Sequence, residues 1–137
     1  KSNLGTMKTK NAVKESEKVI SAFEVKTPGT STLATALSGG NQQKFVVGRE
    51  LEDDPSLLIA SQPTRGIDIG AQALIWEKLR KSRDEGLSVL LISADLEELI
   101  GLSDRIIVFY QGKLVKELDA KNVTPEDLGG YMTGLKK

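Results

Sequence analysis

Two short strand-like stretches, Leu57-Leu58-Ile59-Ala60 and Leu87 to Ser93 with its continuous apolar run Val89-Leu90-Leu91-Ile92, flank a stretch with helical periodicity over residues 70–84. Strands that do not alternate are expected where both faces of a sheet are covered. Between them, Ala71, Leu74, Ile75 and Leu79 recur at i, i+3, i+4 and i+8, and Gly86 follows as a stop. Two such strands joined by an amphipathic helix make a βαβ unit and a parallel sheet, so the fold class is α/β.

The remaining elements are arranged around that unit. Residues 10 to 25 read as an amphipathic helix, with Ala12, Val13, Val19, Ile20 and Phe23 near one stripe. Lys26-Thr27-Pro28-Gly29-Thr30-Ser31-Thr32 has no apolar periodicity and reads as a loop. A second helix is expected from about Asn41 to Leu51, with Phe45, Val46 and Leu51 as its apolar side and Pro55 beyond its end. Pro63 to Asp68 is a turn, and Leu96 to Leu102 a short helix. Arg105 to Tyr110 and Leu114 to Leu118 flank Gln111-Gly112-Lys113 and predict a hairpin. Thr124 followed by Pro125 opens a last helix, with the hydroxyl as cap and the proline at the first helical position. The first 36 residues differ from the rest in being helical, richer in Lys and joined by a polar loop.

Composition excludes several function classes. Lys+Arg and Asp+Glu are both 19, so bulk charge does not hold a nucleic acid. Without Cys there is no disulfide framework or thiolate metal site. Without His the commonest general base and transition-metal ligand are gone. No apolar run approaches the roughly 20 residues of a membrane span. The start, Lys1-Ser2-Asn3-Leu4-Gly5, lacks a signal peptide's pattern and an initiator Met. The chain is therefore expected to be part of something longer.

The string Leu37-Ser38-Gly39-Gly40-Asn41-Gln42-Gln43-Lys44 stands where a loop enters a helix. Paired glycines let backbone N–H groups approach a ligand, and a helix N-terminus adds partial positive charge; both suit a phosphate. A glycine turn capped by Ser38 is the simpler reading of a bare Ser-Gly-Gly. The full string resembles the signature motif (Leu-Ser-Gly-Gly-Gln) of ATP-binding cassette (ABC) ATPases, with Asn41 where most families carry the first Gln. The resemblance continues in register. Leu57 to Asp68 is similar to a Walker B strand and D-loop, Leu90 to Leu99 to the switch region, and Ser103 to Val108 with Gly112-Lys113 to the segment that closes the core. The variants Gln62-Pro63-Thr64-Arg65-Gly66 and Ile92-Ser93-Ala94-Asp95-Leu96-Glu97-Glu98 most resemble the second cassette of importers for simple sugars and nucleosides.

The resemblance implies a partial P-loop NTPase core with parallel strands and flanking helices, plus a remnant of the helical subdomain. Residues 1–36 would be the end of that subdomain and a linker; residues 37–137 would be the signature helix and the C-terminal half of the core. A Gly-x-x-x-x-Gly-Lys-Ser/Thr loop is absent from the sequence. The resemblance assigns Ser38, Gly39, Gly40 and Asn41 to the γ-phosphate of ATP bound on a partner cassette, and Asp68 to the D-loop at the dimer interface. Asp68 also suits the N-cap of the helix beginning near Ile69.

Three family positions are altered. Ser61 and Gln62 stand at the Walker B Asp and the catalytic Glu, and Ala94 at the switch His. A hydroxyl brings no charge to hold Mg²⁺ through water. Gln orients a water but takes no proton, and losing a general base removes ~10²–10⁴ in rate. A polar turn at the strand end is the structural reading of Ser61-Gln62-Pro63-Thr64. Gln42 and Gln43 read as helix surface, and Trp76 as packing. The resemblance therefore implies part of the ATP-binding subunit of an importer, with ATP and Mg²⁺ in the full-length assembly. Its expected partners are the first cassette of the same polypeptide and membrane permease subunits, on the cytoplasmic side of a bacterial membrane. The segment alone is expected to be inactive, to hold no metal or tightly bound cofactor, and to be prone to self-association. The alternative is a non-catalytic regulatory or dimerisation module derived from a cassette.

Overall fold

A computed structural model describes residues 9–136. The elements follow the expected order: α1 (Thr9–Ala22), α2 (Gly39–Glu52), β1 (Leu57–Ser61), α3 (Ile69–Asp84), β2 (Ser88–Ile92), α4 (Leu96–Leu102), β3 (Arg105–Tyr110), β4 (Lys113–Asp119) and α5 (Pro125–Met132). Two single turns of 3₁₀ helix, Ala34–Ala36 and Ala120–Asn122, have no expectation in the sequence reading. The expected segment 1–36 begins in residues 1–8, which lie outside the described residues.

Helix ends obey side-chain caps. Ser38 accepts from Asn41 N, Asp68 from Ala71 N, Asp95 from Glu98 N and Thr124 from Asp127 N. Each cap satisfies one of the donors that a helix start leaves outside its own ladder. Pro125 occupies the first turn of α5, where a missing N–H costs nothing.

The chain divides into two compact units, 1–58 with 63–89, and 59–62 with 90–137. In the first unit α1 packs on α2 at Gly48. A β-carbon there would lie 2.7 Å from both Val19 Cγ1 and Phe23 Cδ2, so the two helices meet at a distance only glycine permits. Val19, Phe23, Val25 and Val47 are buried around this contact. The sequence reading put Val46 on the apolar side of α2; Val46 is exposed and Val47 is buried. The reason is that Gly40, Val47 and Gly48 share the inward face, and two glycines are invisible to a search for apolar side chains. Ala71, Ile75 and Leu79 form the buried stripe of α3.

β1 and β2 form a two-stranded sheet. Ser88 N–H donates to Ser56 O at one end (3.2 Å), and Gln62 N–H to Ile92 O at the other (2.7 Å). Both strands therefore run in the same direction, as the βαβ reading expects. The expectation that both faces are covered is corrected. Ala60 is buried and Leu58 and Leu91 are half-buried, whereas Leu57, Ile59, Leu90 and Ile92 are all at least 50% exposed. An apolar run records which side chains stand on both faces of a strand, not what packs on them, and the described residues cover one face.

In the second unit β3 pairs antiparallel with β4, from Arg105 opposite Asp119 to Tyr110 opposite Lys113, with a bulge after Val108. Gln111 and Gly112 both have positive φ, the conformation of a two-residue hairpin turn. Ile106, Val108, Leu99, Ala120 and Leu128 make the buried core of this unit, with Leu91, Leu96 and Val115 packed against it. No helix among the described residues is long and apolar enough to cross a membrane.

Candidate functional site

The residues singled out in the sequence fall into two groups. Ser38, Gly39, Gly40 and Asn41 begin α2, and Asp68 caps α3; both sets belong to the first unit. Ser61 and Gln62 end β1, and Ala94 follows β2; all three belong to the second unit.

The structure brings Gly40 and Asp68 together. A β-carbon on Gly40 would lie 3.0 Å from Asp68 Oδ2 and 3.2 Å from Ala71 Cβ. The first turns of α2 and α3 therefore touch at a glycine and a carboxylate. Asp68 Oδ1 accepts from Ala71 N at 3.0 Å. That hydrogen bond is the main reason its carboxyl titrates below the ordinary range. Partial burial opposes the shift, and the backbone N–H groups of Asp68 and Gly70 and the charge of Lys44 add to it. Asp68 is thus ionised at neutral pH while capping a helix, the role its residue type suggests.

Gly39 faces open space: a β-carbon added there meets nothing within 4 Å. The helical ladder begins with Gln42 N–H donating to Ser38 O (2.9 Å), so the N–H groups of Gly39 and Gly40 precede it. Ser38 and Gly39 are exposed. The Gly39 N–H and the Ser38 hydroxyl, at the positive end of a fourteen-residue helix, are donors of the kind an exposed phosphate takes, while Gly40 is buried against the start of α3.

Asn41 has a second set of bonds that its sequence position does not announce. Its Nδ2 donates to Ser38 Oγ at 2.9 Å, its backbone N–H to the same oxygen at 3.4 Å, and its Oδ1 accepts from Lys26 N at 2.9 Å. Sequence reasoning missed Lys26, because the partner atom is a backbone donor fifteen residues away and any residue type supplies one. Gln42 Nε2 donates to Leu37 O at 2.9 Å, in keeping with a surface role. Trp76 is half-buried with the Arg80 guanidinium 5.8 Å from its ring centroid, in keeping with packing.

At the end of β1, Gln62 has φ of +51°, a left-handed conformation that a residue with a β-carbon adopts at a cost. Its N–H is held by Ile92 O, which places the end of β1 beside the end of β2, two residues before Ala94. Ser93 Oγ accepts from Asp95 N at 3.0 Å. Ser61, Gln62 and Ala94 offer a hydroxyl, an amide and a methyl group. Among the described residues no group of three His, Cys, Asp or Glu side chains could hold a metal ion. This donor set does not fit a carboxylate-held Mg²⁺.

No protein-family model matches the chain. Curated proteins and solved structures do. The guanosine import ATP-binding protein NupO of Bacillus subtilis is 44% identical over 133 residues, 97% of this chain and 26% of that protein. The glucose import ATP-binding protein TsgD13 of Haloferax volcanii is 48% identical over 120 residues, 86% of this chain and 22% of that protein. The dimeric post-hydrolysis state of the ATP-binding cassette MJ0796, bound to ADP and Pi, superposes with a TM-score of 0.73 at 24% identity. That match takes in 88% of this chain and 52% of the cassette. The chain belongs to the ATP-binding cassette ATPases. It spans about a quarter of the length of the curated relatives and about half of a single solved cassette. The expected partial ABC ATPase core, α/β with a parallel sheet, is the fold observed, and the relatives are import ATP-binding proteins as the motifs suggested.

Proposed function

We propose that this ABC ATPase segment supplies the signature motif of an importer's ATP-binding subunit, acting on nucleotide held by a partner cassette. Residues 1–36 are the end of the helical subdomain and a linker, and residues 37–137 the signature helix and the C-terminal half of the core. The observation that carries this reading is the start of α2. There Ser38 and Gly39 are exposed, Gly39 faces open space, and two N–H groups precede the helical ladder. ATP bound on the opposite cassette would present its γ-phosphoryl oxygens to these donors. Ser38, Gly39 and Gly40 then stabilise negative charge and hold the two cassettes closed; they transfer no proton. Asn41 belongs to the same turn, and Asp68 carries the D-loop position beside Gly40.

The segment's own site has a different character. Ser61, Gln62 and Ala94 supply neither a carboxylate for a metal nor a base for water. This site is non-hydrolysing in our reading, and turnover belongs to the composite site that the signature completes. The relatives' substrates, guanosine and glucose, point to a nucleoside or simple sugar as cargo. The working assembly contains the first cassette of the same polypeptide and membrane permease subunits, with the ATPase on the cytoplasmic face of the membrane.

Ser38→Arg tests the reading. A bulky cation at the tip of α2 blocks closure on the opposite nucleotide. In the full-length subunit it is expected to lower ATP hydrolysis by about tenfold or more, as loss of a transition-state donor does. Residues 1–137 alone are expected to show no turnover. Hydrolysis by that segment, sensitive to Ser38→Arg, contradicts the assignment of the active site to a partner.

A further inference from the structure

We infer that Asn41 is a positioning residue that sets the direction of the Ser38 hydroxyl, so that its proton points outward as a donor. The inference rests on the reading of Ser38 as a phosphate-facing group. Its basis is the geometry of three hydrogen bonds. Lys26 N–H can only donate, so the Asn41 amide must turn its oxygen toward it, at 2.9 Å. That orientation leaves Nδ2 facing Ser38 Oγ, also at 2.9 Å. The Asn41 backbone N–H approaches the same oxygen at 3.4 Å.

A serine oxygen has two acceptor directions and one proton. Both acceptor directions of Ser38 Oγ are taken by donors of one residue, so the proton turns away from Asn41. No hydrogen bond donated by Ser38 Oγ is found among the described residues. A free serine hydroxyl samples three rotamers and serves equally as donor or acceptor; this one is held as a donor before any ligand arrives.

The anchor for this arrangement is itself fixed. Lys26 follows Val25, which is buried, and Val25 N–H donates to Ile20 O at 2.9 Å. Phe23 is buried beside Gly48 of α2. The segment leaving α1 is therefore clamped to α2 by packing on one side and by Asn41 on the other. The amide does not have to find its orientation anew each time the tip meets a nucleotide.

The test is a double-mutant cycle on steady-state ATP hydrolysis by the full-length subunit, with Ser38→Ala, Asn41→Leu and the double variant. Asn41→Leu is neutral and close in size, and Lys26 N–H is exposed enough for water to replace its partner. Asn41→Ser serves where Asn41→Leu fails to fold. Ser38→Ala is expected to lower kcat, and Asn41→Leu to lower it by a comparable factor of about ten, the scale of one hydrogen bond to a charged group. KM for ATP is expected to change less than kcat, and the urea midpoint to stay near that of the parent. In the Ser38→Ala background, Asn41→Leu is expected to add no further loss. Losses that multiply, or an Asn41→Leu enzyme with unchanged kcat while Ser38→Ala is impaired, overturn the positioning role and leave the signature reading standing. A fully active Ser38→Ala enzyme overturns both.

Discussion

Gly40 of α2 lies against the carboxylate of Asp68, which caps α3: the missing β-carbon would stand 3.0 Å from Asp68 Oδ2. Two helix starts are thereby held at one point, by an absence on one side and a charge on the other. Gly40→Ala ordinarily gains about 1 kcal/mol from helix propensity. Here the new methyl also meets Ala71 Cβ at 3.2 Å, so both neighbours have to give by a few tenths of an ångström, and Ala71 Cβ gives only with the backbone of α3. Overpacking of this kind costs about 1–3 kcal/mol, at least as much as the propensity gain. We expect net destabilisation, read as a lower urea midpoint with the same slope. A midpoint at or above that of the parent shows that the two helix starts do not touch as described.

Much of this arrangement is legible in the sequence, for identifiable reasons. Thr124-Pro125 and Asp68 mark helix starts because their side chains satisfy backbone donors locally, without reference to the rest of the fold. The strands are legible from their apolar runs, and the hairpin from Gln111-Gly112. What escapes is anything set by backbone partners or by missing side chains. The Lys26–Asn41 bond has no residue-type signature, and the inward face of α2 is built largely from Gly40 and Gly48. The bare face of β1 and β2 escapes for another reason: an apolar run tells that both faces are hydrophobic, not what is packed against them.

Asp68 also gives acid stability a definite sign. The Ala71 N–H bond holds its folded pKa below the unfolded value. The stabilisation it contributes is therefore complete above the ordinary carboxylate pKa of about 4 and is lost as pH falls through the lower, folded value. Asp68→Asn keeps an acceptor for the cap and removes the charge. The gap in unfolding midpoint between parent and Asp68→Asn is expected to be widest near neutral pH and to close as the solution is acidified. Asp127, lowered by hydrogen bonds from Lys136 and Thr124, titrates with the same sign, so the comparison with Asp68→Asn is needed to isolate one carboxylate. A gap that widens toward acid pH contradicts the cap.

Gln62 invites a test by backbone preference. At φ of +51° a residue with a β-carbon is strained by roughly 1–2 kcal/mol. Glycine relieves that strain but loses about 0.5–1 kcal/mol to the greater freedom of the unfolded chain. Valine, β-branched, sharpens it. The expected order of stability is Gln62→Gly equal to or slightly above the parent, with Gln62→Val lowest by at least about 1 kcal/mol. Equilibrium unfolding of the three proteins decides the matter, and a Val variant as stable as the parent removes the left-handed turn from the account.

The exposed apolar side chains on the strands of the second unit make the last prediction. Ile59 is 60% exposed, Leu90 52%, Ile92 50%, Ile107 48% and Phe109 65%. Ile59, Leu90 and Ile92 stand on two paired strands, and exposed apolar side chains grouped in this way mark a surface for association. The segment spans 52% of a solved cassette, and the matched fold does not supply a cover for these side chains within residues 9–136. Taken alone, residues 1–137 are then expected to cover this surface with a second copy of themselves. Sedimentation velocity over a concentration series should show association that grows with concentration. Ile59→Lys and Leu90→Lys together place two charges on the bare strands, a device that natural sheets use against pairing. The double variant is expected to sediment as a monomer at concentrations where the parent associates. Both positions point away from the buried residues, so its helical circular dichroism should match that of the parent. A parent segment that stays monomeric throughout the series shows that the exposed strands are tolerated in water.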